Sequence, residues 1–383
     1  MTHNGRRLLV AGAIGLILLE IANVYFIMPM PGSQQMRSVE AAYQIHQWRW
    51  AGRAILGAML LVGAVGMWRA GRRRWLVPAS LGAVAIVAYV VNFRMAADQM
   101  FRQPNVLTML PAADSKVAAD RLVVGVALNG EARAYPLQFI GYHHQVRDSV
   151  GGEPVLVSYC TVCRTGRVFS PVVDGRAESF RLVGMDHYNA MLEDRRTGSW
   201  WRQANGEAIT GARTGATLRE IPRLQVTLKE WLTLYPNSLV MQGDPAFVEE
   251  YAKDYAFERG TSRKSLTGTD TLSWRDKSWV VGVTHNGRSK AYDWNRLRRE
   301  RVVNDEVGGR PVVLVLAADS VSFYAYERPD AATRFALRGD SIVAAGRSYS
   351  VTGRGARDSL IAVNASQEFW HSWREFQPAT ERY

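Results

Sequence analysis

Cysteine is scarce in this chain, with two in 383 residues, Cys160 and Cys163. That excludes a disulfide-stapled scaffold, which needs several bridges. Three catalytic signatures are missing as well. The chain has no Walker loop for a nucleotide, no His-Glu-x-x-His zinc helix and no Gly-x-Ser-x-Gly nucleophile elbow. Acidic residues are in deficit, 35 against 47 lysines and arginines, which leaves a formal charge of +12. A charge of this sign invites a nucleic-acid reading. The basic residues form no helical stripe, however. Many flank apolar segments instead (Arg6, Arg7, Arg69, Arg72, Arg73, Arg74), which is the pattern of a membrane topology signal. Membrane lipid is therefore the expected partner, and nucleic acid is not.

Three long apolar runs follow from this pattern: Leu8–Met28, Ala51–Trp68 and Trp75–Phe93. Each is near the roughly 20 residues that cross about 30 Å of hydrocarbon. The first is long, carries Glu20 and lacks a small-x-small cleavage site, so it reads as a retained helix rather than a signal peptide. The basic flanks place the N-terminus in the cytoplasm of a bacterial cell. The Pro29–Trp50 loop and everything after Phe93 then lie outside the inner membrane, periplasmic or extracellular. Trp48, Trp50, Trp68 and Trp75 mark the interfaces. Glu20 is an ionisable group inside a span and so a functional candidate. A hydrogen bond to Arg53 or Asn92 that joins the helices is the plainer reading. Met28, Met30, Met36, Met95 and Met100 gather near the outer surface. Their thioethers would suit Cu(I), but interfacial packing is the simpler account.

After Pro104 the pattern changes to short β-like runs broken by Gly, Asn and Pro, and it occurs twice. VVGVALNGEARAY (Val123–Tyr135) returns as VVGVTHNGRSKAY (Val280–Tyr292), 157 positions on, and VRDSVGGEPV (Val146–Val155) as VNDEVGGRPV (Val303–Val312). Over Val123–Val155, 15 of 33 positions are identical at that offset, far more than unrelated segments share. Asn129-Gly130 and Asn286-Gly287 are hairpin turns by composition. Val155–Tyr159 and Val312–Leu316 read as central strands. Trp231 and Trp373, each five residues before a proline, close the halves with a short helix. The expected fold is membrane-anchored α+β: three transmembrane helices (1–99), then a β-rich repeat carrying Cys-x-x-Cys (100–245) and a second repeat without cysteines (246–383).

The repeat serves as an internal control. Opposite Cys160 and Cys163 stand Ala317 and Ser320; opposite His143 and His144 stand Glu300 and Arg301. The scaffold is duplicated and the thiols are not. Two thiolates completed by His143, His144, His187 or Met185 would suit zinc or copper. An unliganded pair outside the cell would instead form a structural or redox disulfide. No helix follows Cys163 to lower its pKa as in thioredoxin-like sites. Covalent haem is excluded because Arg164, not histidine, follows the second cysteine. Arg164 is placed to stabilise a thiolate or an anion, with Asp148, Asp194 and Trp201 as supporting residues. In the Asp194–Gly211 stretch the alternative is a hairpin turning at Thr197-Gly198 with Trp201 in the core. His285 and His371 read as surface or capping residues.

HHQVRDSVGGEPVLVSYCTVCRTGRVF (His143–Phe169), DRRTGSWWRQANGEAITG (Asp194–Gly211), WLTLYPNSLV (Trp231–Val240) and FWHSWREFQPAT (Phe369–Thr380) together resemble a bacterial family known as domain of unknown function 3179. In that resemblance His143 takes the family's histidine position, and Cys160 and Cys163 its cysteines. His144 stands where the family has Glu, Arg147 where it has Asn, and Met185-Asp186-His187 where it has a Leu-Arg-Asn-like stretch. These departures add a second imidazole, and the family implies no activity. Two functions stay open: a metal-binding or thiol-redox module anchored to the membrane, or a non-catalytic envelope protein that binds a partner or small ligand and keeps a structural disulfide.

Overall fold

The computed structural model describes residues 2–71 and 73–383; Arg72 lies outside the described residues. The chain forms two compact units: Met1–Arg102 with Ser179–Arg202 and Glu207–Ala216, and the remainder from Gln103 to Tyr383.

The first unit contains three helices long and apolar enough to cross a membrane, Asn4–Tyr25, Val39–Ala70 and Leu76–Arg94. Ile14, Leu18, Ile55, Leu61 and Ile86 are exposed on them, as suits a surface solvated by hydrocarbon. Glu20 is fully engaged. Its carboxylate accepts from Arg53 Nε (2.6 Å), Arg53 Nη2 (2.7 Å) and Asn92 Nδ2 (2.9 Å). One buried carboxylate thus ties three helices together, the plainer of its two sequence readings. The second helix begins at Val39, twelve residues before the apolar run. Most of the expected outer loop is therefore helical. Its Ala42 and Tyr43 are buried with Ile27, Val183, Met191 and Trp200. Those last partners belong to a four-stranded antiparallel meander, Phe180–Asp186, Asn189–Asp194, Trp200–Arg202 and Ala208–Thr210.

In the second unit the repeated sequence segments fold alike. Leu122–Leu128 pairs with Glu131–Pro136, as Trp279–His285 pairs with Arg288–Asp293. Asn129 and Asn286 have φ of 48° and 47°, as a two-residue hairpin turn requires. Tyr135 donates to Asp148 (2.7 Å) and Tyr292 to Asp305 (3.1 Å). Each hairpin continues into a seven-residue helix, Leu137–His143 or Trp294–Glu300, too short for its period to show in the sequence. Three-stranded sheets follow, with Glu153–Cys160 and Arg310–Leu316 in the middle. A closing strand in each half, Leu224–Thr227 or Ala365–Phe369, pairs with that half's first hairpin. One hydrophobic cluster takes Val123, Val157 and Trp231 from the first half and Val313, Val315 and Tyr324 from the second.

The closing helices, Leu228–Leu234 and Trp370–Phe376, explain two strand glycines. A Cβ on Gly125 would lie 2.3 Å from the Trp231 ring, and one on Gly282 would lie 2.1 Å from the Trp373 ring. Each indole lies flat on a strand that has no side chain there. Replacing Gly125 or Gly282 by alanine should destabilise the unit by about 1–3 kcal/mol through overpacking. Chemical denaturation would read this, and unchanged stability in both variants would contradict the packing.

Candidate functional site

The Cys-x-x-Cys turn joins two antiparallel strands of the second unit, Glu153–Cys160 and Thr165–Phe169, with Cys160 opposite Thr165. Because Thr165 opens a strand, no helix dipole reaches Cys163. Both cysteines are free thiols and fully buried. Burial, and then the hydrogen-bonded Cys160 thiol beside it, push Cys163 well above the usual thiol range. The Ser372 hydroxyl and the Lys277 ammonium act in the opposite direction. The thiol is therefore protonated at neutral pH.

The second half closes over this turn. Phe369 N donates to Cys163 O (2.9 Å). Lys277 Nζ donates to Val162 O and Leu266 O, both at 2.7 Å, and lies 3.3 Å from His371 Nε2. His371 Nε2 is 3.1 Å from Val162 O. His371 is thus a half-buried clasp on the cysteine turn rather than a surface or capping residue. Thr165 Oγ1 lies 3.4 Å from Ser372 Oγ, which donates to Glu368 (2.9 Å). Lys277, His371 and Ser372 escaped sequence reasoning, but a signal existed. At the repeat offset Lys277 faces Asp120, and in the closing-helix alignment His371 faces Lys229. Like the cysteines, these residues are not duplicated.

Arg164 differs from its expected role. Its guanidinium donates to Gln367 Oε1 (2.9 Å), Phe257 O (2.7 Å) and Glu258 O (3.0 Å) and stacks 3.5 Å from the Trp279 ring centroid. Those carbonyl oxygens occupy it, and it pins the turn to the second half. Asp148 is likewise engaged in the scaffold, with Arg133 (2.6 Å) and Tyr135 (2.7 Å).

His143 is fully buried, with Nε2 2.8 Å from the Tyr251 hydroxyl, among the rings of Tyr142, Phe247 and Tyr251. His144 caps the Leu137–His143 helix at φ 61°. Its Nδ1 is 3.0 Å from Tyr142 O. A carbonyl only accepts, so Nδ1 carries the proton and Nε2 is the acceptor nitrogen of the neutral ring.

The remaining candidates fall in the other unit. His187 Nδ1 is 2.6 Å from Asp186 Oδ1, and Met185 lies on the same strand. Asp194 accepts from Thr197 N (2.6 Å) and Trp201 Nε1 (2.9 Å). It builds the hairpin turn over a buried Trp201, as the alternative reading had it. Among the described residues, no three His, Cys, Asp or Glu side chains form a group that could hold a metal ion.

The sequence matches the family described as "Protein of unknown function (DUF3179)" over residues 102–380. The chain belongs to this family. The match takes in both thiols, both neighbouring histidines and the clasp residues Lys277 and His371, and it begins beyond the three apolar helices. No curated protein and no solved structure matches the chain.

Two histidines, the buried His144 and the half-buried His371, set a pH dependence. His144 is held at about 4 by burial and then by His143, and His371 at about 4 by burial and then by Lys277, against an ordinary value of 6.5. Between those values the unfolded chain binds more protons, so stability rises with pH and is lost on acidification. The expected loss is on the order of 3 kcal/mol per histidine across the window. Unfolding titrations of the full chain between about pH 4 and 7 should show that slope. His144→Asn or His371→Gln should flatten it, and a slope insensitive to both changes would refute the assignment.

Proposed function

We propose that the chain is a thiol module anchored in the inner membrane of a bacterial cell, with its N-terminus cytoplasmic and its family domain outside. Cys160 and Cys163 interconvert between dithiol and disulfide by exchange with a partner's disulfide. One thiol, deprotonated, attacks the partner disulfide and releases a partner thiol. The second resolves the mixed disulfide and releases the other. The partner gains two electrons and two protons, and the pair closes.

The observation that carries this reading is the contrast between the two halves. In the second half a turn of the same length runs from Ala317 to Ser322, and Asp319 holds it by accepting from Val321 N, Ser322 N and Ser322 Oγ. The fold closes that turn without sulfur. The thiols of the first half are thus additions to a duplicated scaffold rather than requirements of it. A second reading is zinc or copper held by the two thiolates in place of their protons.

The decisive variant makes Cys160 and Cys163 resemble the second half, as Cys160→Ala with Cys163→Ser. A redox role predicts that the full-length protein gains a disulfide with a defined potential in glutathione buffers and that the variant loses it while staying folded. Bound zinc or copper in gently purified protein, lost in the variant, would favour the metal reading. A disulfide across so short a turn constrains the unfolded chain by only about 2 kcal/mol. A pair that is always oxidised, and whose removal costs only that much, would assign a structural disulfide in an envelope binding or assembly protein and overturn both.

A further inference from the structure

A surface cleft of about 460 Å³ in the second half is lined by Thr271, Leu272, Ser273, Asn295, Arg298 and Arg299. No acidic side chain lines it. Both arginines are exposed, and neither guanidinium has an ion pair or hydrogen bond among the described residues. The acids close by in sequence are occupied. Glu300 holds Arg296 Nε at 2.6 Å. Asp293 is buried and accepts from Ser273 Oγ (2.9 Å) and Arg296 N (3.0 Å). Arg298 also lines an adjoining cleft of about 180 Å³, together with Asp270 and Arg259. Asp270 accepts from Leu272 N (2.9 Å), and Arg259 is held by Asp120 (2.8 Å). With Arg259 so offset, Arg298 and Arg299 stand against Asp270 alone across both clefts. The charge left over is positive.

Arg298 and Arg299 occupy the last turn of the Trp294–Glu300 helix, where basic residues suit the helix dipole. The repeat argues for more than that. At the 157-residue offset the first half has Gly141 and Tyr142, and its helix, Leu137–His143, forms at the same length without them. The scaffold does not need the two guanidiniums. Beside the Thr271 hydroxyl they present forks of N–H donors that match phosphate oxygens. A phosphate ester offers them more charge and more acceptor oxygens than a carboxylate does. Leu272 lines the same cleft and is 60% exposed. It gives apolar contact to an organic ester that a bare inorganic ion would not use.

We infer that this cleft binds an organic phosphate ester, with Arg298 and Arg299 on the phosphate and Leu272 against the ester's apolar part. No thiol or clasp residue lines the cleft, so the inference stands without the thiol reading. Two sources carry this chemistry: the head of a glycerophospholipid and a soluble glycerol or sugar phosphate.

The test titrates the full chain, in a non-ionic detergent, with dihexanoyl phosphatidylglycerol and, separately, with glycerol 3-phosphate. Phenylglyoxal labelling of arginines is read residue by residue by mass spectrometry. Saturable protection of Arg298 and Arg299 is expected, slowing their labelling about tenfold. Arg347, exposed and already paired with Asp358, should label at an unchanged rate. Protection by the lipid alone assigns a membrane head, and protection by glycerol 3-phosphate assigns a soluble ester. Arg298→Ala, a change at an exposed position, should raise the concentration that protects Arg299 about tenfold. Four results would overturn the inference: no saturable protection by either ester, equal protection by succinate or inorganic phosphate, equal protection of Arg347, or protection of Arg299 that Arg298→Ala leaves unchanged.

Discussion

The family domain depends on a set of buried arginines that join its two halves. Arg167 reaches Glu368 and Ser366, Arg223 reaches Glu220, Asn364 and Ser366, and Arg164 reaches Gln367. All three lie in the first half, and their partners at Asn364–Glu368 lie in the second half's closing segment. Arg164 is fully buried, and Arg167 and Arg223 are almost so. A guanidinium out of water is tolerable only with its donors satisfied. If the closing strand of the second half withdrew, Arg167 would lose Glu368 and Ser366, Arg223 would lose Asn364 and Ser366, and Arg164 would lose Gln367, leaving buried donors unsatisfied. The halves therefore cannot separate without losing the fold, whatever their sequence symmetry implies about independent repeats.

That constraint places the thiols. The closing segment that satisfies the arginines also brings Phe369 N onto Cys163 O and Ser372 beside Thr165. Lys277, just before the second half's first strand, adds its ammonium to Val162 O. The reciprocal contact in the other direction is built differently. Thr227 N donates to Ser322 Oγ and Thr227 Oγ1 to Asp319 (3.0 Å). The first half meets the second half's turn with a threonine, the second meets the first half's turn with a lysine and a histidine. The two similarly folded halves differ where each covers the other.

Much of this was legible in the sequence where local signals are strong. The Asn-Gly hairpins, the central strands, the closing tryptophan helices and the Glu20 tie all have short-range causes: turn chemistry, period, and a charge in an apolar run. The short helices after each hairpin were not legible, because seven residues hold too little of a 3.6-residue period. Nor was the helical start at Val39, whose buried face is decided by strands about 150 positions away. The site was half legible. Asymmetry between the repeats picked out Cys160, Cys163, His143 and His144. It did not show that Arg164 would be drawn off by distant carbonyls, or that His371 would arrive from the far end of the chain. Both follow from how the halves close on each other, which no local pattern encodes.

The chemistry open to the thiol pair follows from its dryness. A lone thiolate at Cys163 is disfavoured by burial and by the neighbouring thiol, and the Lys277 ammonium, itself depressed by burial, offsets this only in part. Single-proton chemistry is therefore the costly course. Oxidation to a disulfide removes both protons and leaves no charge. A divalent cation replaces both protons and cancels the two thiolates it creates. Each change converts the pair as a unit and avoids a bare anion in a low-dielectric interior. Lys277 places its ammonium on the turn, held to it through a carbonyl rather than through sulfur. The Lys277 and His371 contacts on Val162 O thus hold shut a turn whose two thiols are dry.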